Sequence, residues 1–253
     1  MTIRTGPLSD PSLAIRLGRE LEGEVLFDSF SRGLYSTDAS IYQVEPVGVV
    51  MPKTTTDVFR AVEIANEVSL PVTPRGAGTS QSGQAIGEGL VMDTSKYLTK
   101  IGELDQEAAT IRVQPGVVLD RLNQWLEPHG LFFPVDVATA SRATLGGMAA
   151  NNSAGARSIR YGMMVDNVLR VSGSLANGTP VSFGLEVPPP GVESELASTL
   201  ATLRRREDAE LQLRIPNVMR RVAGYNLDRI SPDGAEIVRL LVGSEGTLAF
   251  FTE

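Results

Sequence analysis

Apolar residues recur at Val58, Ala61, Val62, Ala65 and Val68, the spacing of one helix face. Thr54 just ahead of them, with Asp57 following, predicts an N-cap with a variant capping box. Val47–Met51 and Leu70–Thr73 read as short strands on either side, and Gly89–Met92 as a third. Residues 47–93 therefore predict strand, helix, strand, loop, strand, a βαβ unit whose second strand delivers the loop. Upstream, residues 1–40 are polar and mixed, with an amphipathic helix expected near Pro11–Glu24.

Downstream, Ala109–Val113 alternates as a strand. Val118, Leu122, Trp125 and Leu126 mark a helix face that Gly130 ends, and Leu131–Pro134 reads as a further strand. Asn177-Gly178 between Val168–Leu175 and Thr179–Phe183 is a hairpin signal. A charged helix is expected over Glu193–Leu213, a helix near Gly234–Leu241, and a strand over Thr247–Thr252. That strand runs to the last residue, so a fragment of a longer chain is expected.

The 253 residues suffice for one large domain or two smaller ones. With 42% apolar and 21% charged residues, the composition is that of a soluble globular protein. A net charge of −7 argues against general nucleic-acid or anionic-membrane binding, so a phosphate-bearing ligand must be held by local groups. The absence of cysteine excludes disulfides, thiolate metal sites, cysteine nucleophiles, Fe–S ligation and a cysteinyl-flavin bond within this chain. His129 is the single histidine, so clustered-histidine metal sites are excluded too. There is no signal-peptide pattern and no apolar stretch of roughly 20 residues, and a cytoplasmic location is expected.

Candidate chemistry concentrates in three loops. The first is Pro74-Arg75-Gly76-Ala77-Gly78-Thr79-Ser80-Gln81-Ser82-Gly83. Its glycines let backbone N–H groups approach an anion closely, and Arg75 adds a positive fork. A plain glycine turn is one reading. A Rossmann fingerprint is disfavoured, because the glycine spacing differs and a strand rather than a helix follows. A pyrophosphate cradle of another kind remains. The second region, residues 143–162, holds Thr144, Gly146 and Gly147, which can open a short helix with anion-favouring N–H groups. Asn151, Asn152 and Ser153 suit a ribityl chain or isoalloxazine ring, with Arg157 and Arg160 beside them; a capped glycine turn is the alternative. In the third, Gly243–Thr247, Glu245 either binds a ribose hydroxyl or is solvated. His129 reads as a histidine opposing a helix dipole, and Arg204–Arg206 as a solvated helix face.

Taken together, PRGAGTSQSG, RATLGGMAANNSAGARSIRYG, RVAGYNLD and LLVGSEGTLAFFTE resemble the FAD-binding domain of the vanillyl-alcohol oxidase / p-cresol methylhydroxylase (PCMH) superfamily. Within it, the chain is most similar to the FAD-linked D-2-hydroxy-acid dehydrogenases: the glycolate oxidase D subunit, D-lactate dehydrogenase and D-2-hydroxyglutarate dehydrogenase group. The opening FDSFSRGLYSTDASIYQVEPVGVVMP also resembles large members that fuse this domain to an Fe–S half.

The resemblance implies an α+β, PCMH-type fold of two α/β subdomains with FAD between them. The expected organisation is an N-terminal helical extension (1–40), a first subdomain (41–105) and a second (106–253), with the substrate-binding cap outside this chain. It implies that Pro74, Arg75, Gly76, Ala77, Gly78, Thr79, Ser80 and Gly83 cradle the pyrophosphate. Thr144, Gly146, Gly147, Asn151, Asn152, Ser153, Arg160, Tyr161 and Gly162 would line pyrophosphate, ribityl chain and flavin. Tyr225 would lie by the flavin, with Asn226 and Leu227, while Glu245, Gly246 and Thr247 close on it. Some superfamily members attach FAD through a histidine in the first loop; Gly78-Thr79-Ser80 stands there, so FAD is expected to be non-covalent. The implied reaction oxidises a D-2-hydroxy acid, with an Fe–S domain or subunit as a further expected partner. No catalytic base and no metal ligand is assigned. The alternative function is a non-catalytic module holding FAD for an electron-transfer partner.

Overall fold

The computed structural model describes residues 11–253, so the first ten residues of the expected N-terminal extension lie outside it. Helix α1 (Pro11–Glu20) buries Leu17 and is shorter than expected, because Glu24 already opens strand β1 (Glu24–Leu26). Helix α2 (Ser29–Leu34) starts at Asp28, whose carboxylate accepts from Ser31 N at 2.9 Å. Strand β2 (Gly48–Met51) is buried throughout and leads into α3 (Thr55–Glu67). The expected capping box is present between Thr54 and Asp57. Asp57 also accepts from Glu22 N and Lys53 N, at 2.9 and 2.8 Å, so one buried carboxylate fixes α1's exit and α3's start. Asp57→Ala leaves these donors unpaired and should cost about 2 kcal/mol in urea unfolding.

Strands β3 (Val72–Arg75) and β4 (Leu90–Asp93) complete a sheet of order β1-β2-β4-β3. β4 pairs parallel with both β2 and β3, so the strand after the glycine loop inserts between the two that precede it. Its Leu90, Val91 and Met92 are fully buried, as a central parallel strand requires. Val50, Leu90 and Met92 pack with α1 and α3, while Val49, Met51 and Val91 pack with Tyr35 on the other face.

In the second half, β5 (Ile101–Asp105) and β6 (Thr110–Val113) form an antiparallel pair. Helix α4 (Leu119–Leu126) continues into a single 3-10 turn, Glu127–His129, which Gly130 closes at φ +70°. No strand forms over Leu131–Pro134. Phe133 N donates to Asn123 Oδ1 at 2.8 Å and Leu131 N to the Leu126 carbonyl, so the backbone is satisfied by α4 rather than by a neighbouring strand.

Short helices α5 (Leu145–Asn151), α6 (Ser158–Tyr161) and α7 (Met164–Asn167) precede β7 (Val171–Ser174) and β8 (Pro180–Phe183). These strands form the expected hairpin, with Gly178 at φ +86°. The expected long charged helix is two, α8 (Val192–Arg206) and α9 (Asp208–Arg214), because Glu207 leaves helical geometry. Arg204 departs from the expected solvated face. Only 14% of its side chain is exposed, and it pairs with Asp208 across the break. Helix α10 (Val238–Leu241) and strand β9 (Phe250–Phe251) are shorter than expected, and β9 joins the sheet β8-β7-β9. Thr247 cannot pair there, since its N–H and hydroxyl are both bonded to the Ser244 carbonyl.

Two main buried clusters result. One gathers α1, α3 and the first sheet; the other runs from Val117 to Phe251. Strand β9 joins them, because Phe250 packs into the first and Phe251, on its opposite face, into the second.

Candidate functional site

The first loop leaves β3 at Arg75. This guanidinium lies over the Tyr35 ring, 5.1 Å from its centroid, and donates to Ala85 O at 3.1 Å and Tyr35 O at 3.5 Å. Arg75 thus clamps the two ends of the loop together through Nη1, while its side chain also lines the cleft described below. Tyr35 is itself fixed: its hydroxyl donates to Asp93 Oδ2 at 2.6 Å, and burial together with that carboxylate holds the phenol well above its usual range. Because the folded value is raised, this contribution to stability is present below the ordinary tyrosine value near 10 and is lost as pH rises above it. Tyr35→Phe should cost about 1 to 2 kcal/mol at pH 7 and flatten the alkaline limb of the stability profile, read by thermal melts.

Within the loop, Gly78 and Gly83 adopt φ +65° and +82°, and Ala39 N donates to Gly78 O at 3.0 Å. No hydrogen bond joins the backbone N–H of Ala77, Gly78, Thr79, Ser80 or Gln81 to another described residue. A run of unpaired donors around left-handed glycines matches an anion cradle.

The second region docks directly on the first. A Cβ at Gly76 would lie 2.1 Å from Thr144 Oγ1, so only glycine permits this approach. Thr144 caps α5, but the donors there are largely taken. Leu145 N and Gly146 N bond the Val117 and Pro115 carbonyls at 2.8 and 2.9 Å, and Gly147 N turns to Thr144 Oγ1 at 3.4 Å. The anion-favouring helix start expected from the sequence is therefore satisfied within the protein. Asn151 and Ser153 face the cleft, whereas Asn152 is buried and structural: it ends α5 at φ +50° and accepts from Val165 N at 3.0 Å.

The third loop closes on α5 from the other side. Gly243 N and Glu245 N donate to the Ala149 and Ala150 carbonyls at 2.9 and 3.0 Å. Glu245 sits at φ +52°, and Gly246, at φ +77°, packs against the Pro74 ring. Asn151 Nδ2 donates to Glu245 Oε1 at 3.0 Å, yet burial pushes the Glu245 carboxyl above the ordinary glutamate range.

Between these walls lies a cleft of about 510 Å³, within the range of small-molecule and cofactor sites. Of the sequence-predicted residues it brings together Pro74, Arg75, Gly76, Ala77, Gly78, Thr79, Ser80, Thr144, Gly146, Gly147, Asn151, Ser153, Glu245 and Gly246. Gly83, Asn152, Arg160, Tyr161, Gly162, Tyr225 and Thr247 do not line it. Arg160 stacks on Tyr161, whose edge meets Phe132, and Tyr225 Oη is 2.7 Å from Thr247 Oγ1. The sequence reading missed Gln84, Val137–Thr139, Arg220, Val222 and Phe250–Phe251. Phe250–Phe251 had a signal, since the expected final strand follows directly on the third loop; the lone Arg220 had none. The free N–H run, the amides and hydroxyls, and the apolar backing of Met148 and Ala150 together fit a dinucleotide with an apolar ring system.

Residues 46–184 match the family model described as FAD binding domain, and the chain belongs to that family. It is 38% identical to D-2-hydroxyglutarate dehydrogenase of Escherichia coli over 95% of this chain and 26% of that protein. It is 32% identical to glycolate oxidase subunit GlcD of Bacillus subtilis, over 92% of this chain and 42% of that one. The chain thus spans about a quarter of the length of the 2-hydroxyglutarate dehydrogenases it matches. Among solved structures, alkyldihydroxyacetonephosphate synthase superposes with a TM-score of 0.67 over 98% of this chain and 40% of that one, at 20% identity. The fold is the α+β, PCMH-type FAD-binding fold, and FAD is the cofactor the family binds. Among the described residues, no helix is long and apolar enough to cross a membrane.

Proposed function

We propose that this chain is the FAD-holding part of an oxidoreductase that converts a D-2-hydroxy acid, of the lactate, glycolate or 2-hydroxyglutarate type, to the 2-keto acid. The observation that carries this reading is the convergence of three loops, distant in sequence, on one cleft lined by Ala77–Gln81, whose N–H groups have no acceptor among the described residues. The names of the relatives supply the substrate class.

When bound, FAD supplies an acceptor for the hydride leaving the substrate's α-carbon. The chain's own residues hold and orient. Ala77–Gln81 take the pyrophosphate on backbone N–H groups; Asn151 and Ser153 serve the polar parts; Met148, Ala150 and Val222 keep water from the apolar ring. Non-covalent attachment, a cytoplasmic location and an Fe–S domain or subunit as electron acceptor belong to the same proposal.

His129 is unsuited as base for the substrate hydroxyl. It lies outside the cleft, its Nδ1 is 2.6 Å from Gln106 Nε2, and it packs against Trp125. The FAD-loaded chain, mixed anaerobically with D-lactate, glycolate or D-2-hydroxyglutarate, should therefore bleach slowly, far below about 1 s⁻¹, the low end of ordinary turnover. The chiral acids should react as the D-enantiomer only. Rapid bleaching would place a base in this chain, and bleaching by the L-enantiomers as fast as by the D-enantiomers would contradict the substrate class.

A further inference from the structure

Among the described residues, the carboxyl of Glu245 is the one acidic group lining the cleft, whose other charged residues are Arg75 and Arg220. Both arginines face carbonyls: Arg75 those of Tyr35 and Ala85, Arg220 that of Ala154 at 3.4 Å. The remaining titratable groups near the cleft walls also have partners. Arg157 pairs with Asp136 at 3.8 Å, Arg160 lies on Tyr161, Arg221 pairs with Asp228, and Tyr225 bonds Thr247.

Glu245 instead completes a polar chain across the cleft. Ser80 Oγ donates to Gln84 Oε1, the Gln84 side chain approaches the Glu245 carboxyl, and Asn151 Nδ2 donates to it. Ser153 Oγ closes the chain on Asn151 Oδ1 at 3.2 Å. The carboxyl therefore draws together polar side chains from all three loops, the side chains an anionic ligand in this cleft would use.

We propose that Glu245 is an internal stand-in for the cofactor's phosphate, holding the cleft's polar side chains in place, and that an anionic cofactor bound beside it neutralises it with uptake of one proton. This rests on the FAD reading above. The half-buried carboxyl, already held toward its neutral form, is discharged more easily than an exposed glutamate. Charged, it repels a phosphate; protonated, it becomes a hydrogen-bond donor to one. The sign follows: affinity for a phosphate-bearing ligand falls as pH rises, by up to tenfold per unit, starting above the ordinary glutamate value near 4.3.

The test titrates the chain with FAD and with riboflavin, which lacks phosphate, from pH 5.5 to 8.5 at constant ionic strength, reading flavin fluorescence. FAD should bind progressively more weakly as pH rises. Riboflavin should show no such trend. Glu245→Gln should remove the slope and bind FAD at least fivefold more tightly than the parent at pH 8. Calorimetry of the unmodified chain at pH 7, in two buffers of different ionisation enthalpy, should find net proton uptake on FAD binding, a readout that needs no variant. A pH-independent FAD affinity with no proton uptake, or a Glu245→Gln slope equal to the parent's, would overturn the proposal alone. Failure of FAD to bind at any pH would overturn it together with the cofactor reading.

Discussion

Gly76→Ala should weaken FAD binding a hundredfold or more, about 2.7 kcal/mol, and lower the melting temperature by several degrees. The added Cβ would sit 2.1 Å from Thr144 Oγ1. That hydroxyl has little room to give, since Thr144 is 2% exposed, β-branched and engaged as the cap of α5. The first loop must therefore lift away from the second, which opens the cleft at the contact between its walls. Gly18→Ala is the control. It lies in α1 with nothing within 4 Å of the added carbon, so it should leave FAD affinity unchanged and stabilise by about 0.5 to 1 kcal/mol. Isothermal titration with FAD and thermal melts read both variants.

Arg75→Ala should follow closely, costing about 3 kcal/mol of folding stability and at least tenfold in FAD affinity. The stability loss comes from the bonds to Tyr35 O and Ala85 O and from the stack on Tyr35. The affinity loss is indirect: without the clamp, the free N–H groups of Ala77–Gln81 lose their fixed spacing. Arg75→Lys separates the two roles. A lysine restores one charge but neither the fork nor the planar stack, so it should recover little of either loss. Full recovery by lysine would show that charge alone matters.

Local signals made much of this fold legible. The Thr54–Asp57 box, the Asn177-Gly178 hairpin and the Gly130 stop each rest on chemistry within a few residues, and each is present. What failed depends on distant partners. Leu131–Pro134 has strand composition, but Asn123 takes its backbone. Strand β4 lies between β2 and β3, an order that periodicity cannot give. The site divides the same way. Glycines flagged the first and third loops, and 14 of the expected residues line the cleft. Asn152 carried the same polar signal as Asn151 but points into the core, because a left-handed residue at the end of α5 turns it inward. Arg75 reads from sequence as a ligand for the anion; it lines the cleft and also fastens the loop, through Nη1 to the Tyr35 and Ala85 carbonyls.

The most direct test of the account is cofactor reconstitution. Purified chain, stripped of flavin and incubated with FAD, should retain one FAD per chain through gel filtration. All of it should return to solution on acid precipitation, since neither cysteine nor a loop histidine is there to bond it. Protein that elutes colourless and folded after incubation with excess FAD would contradict the account at its centre.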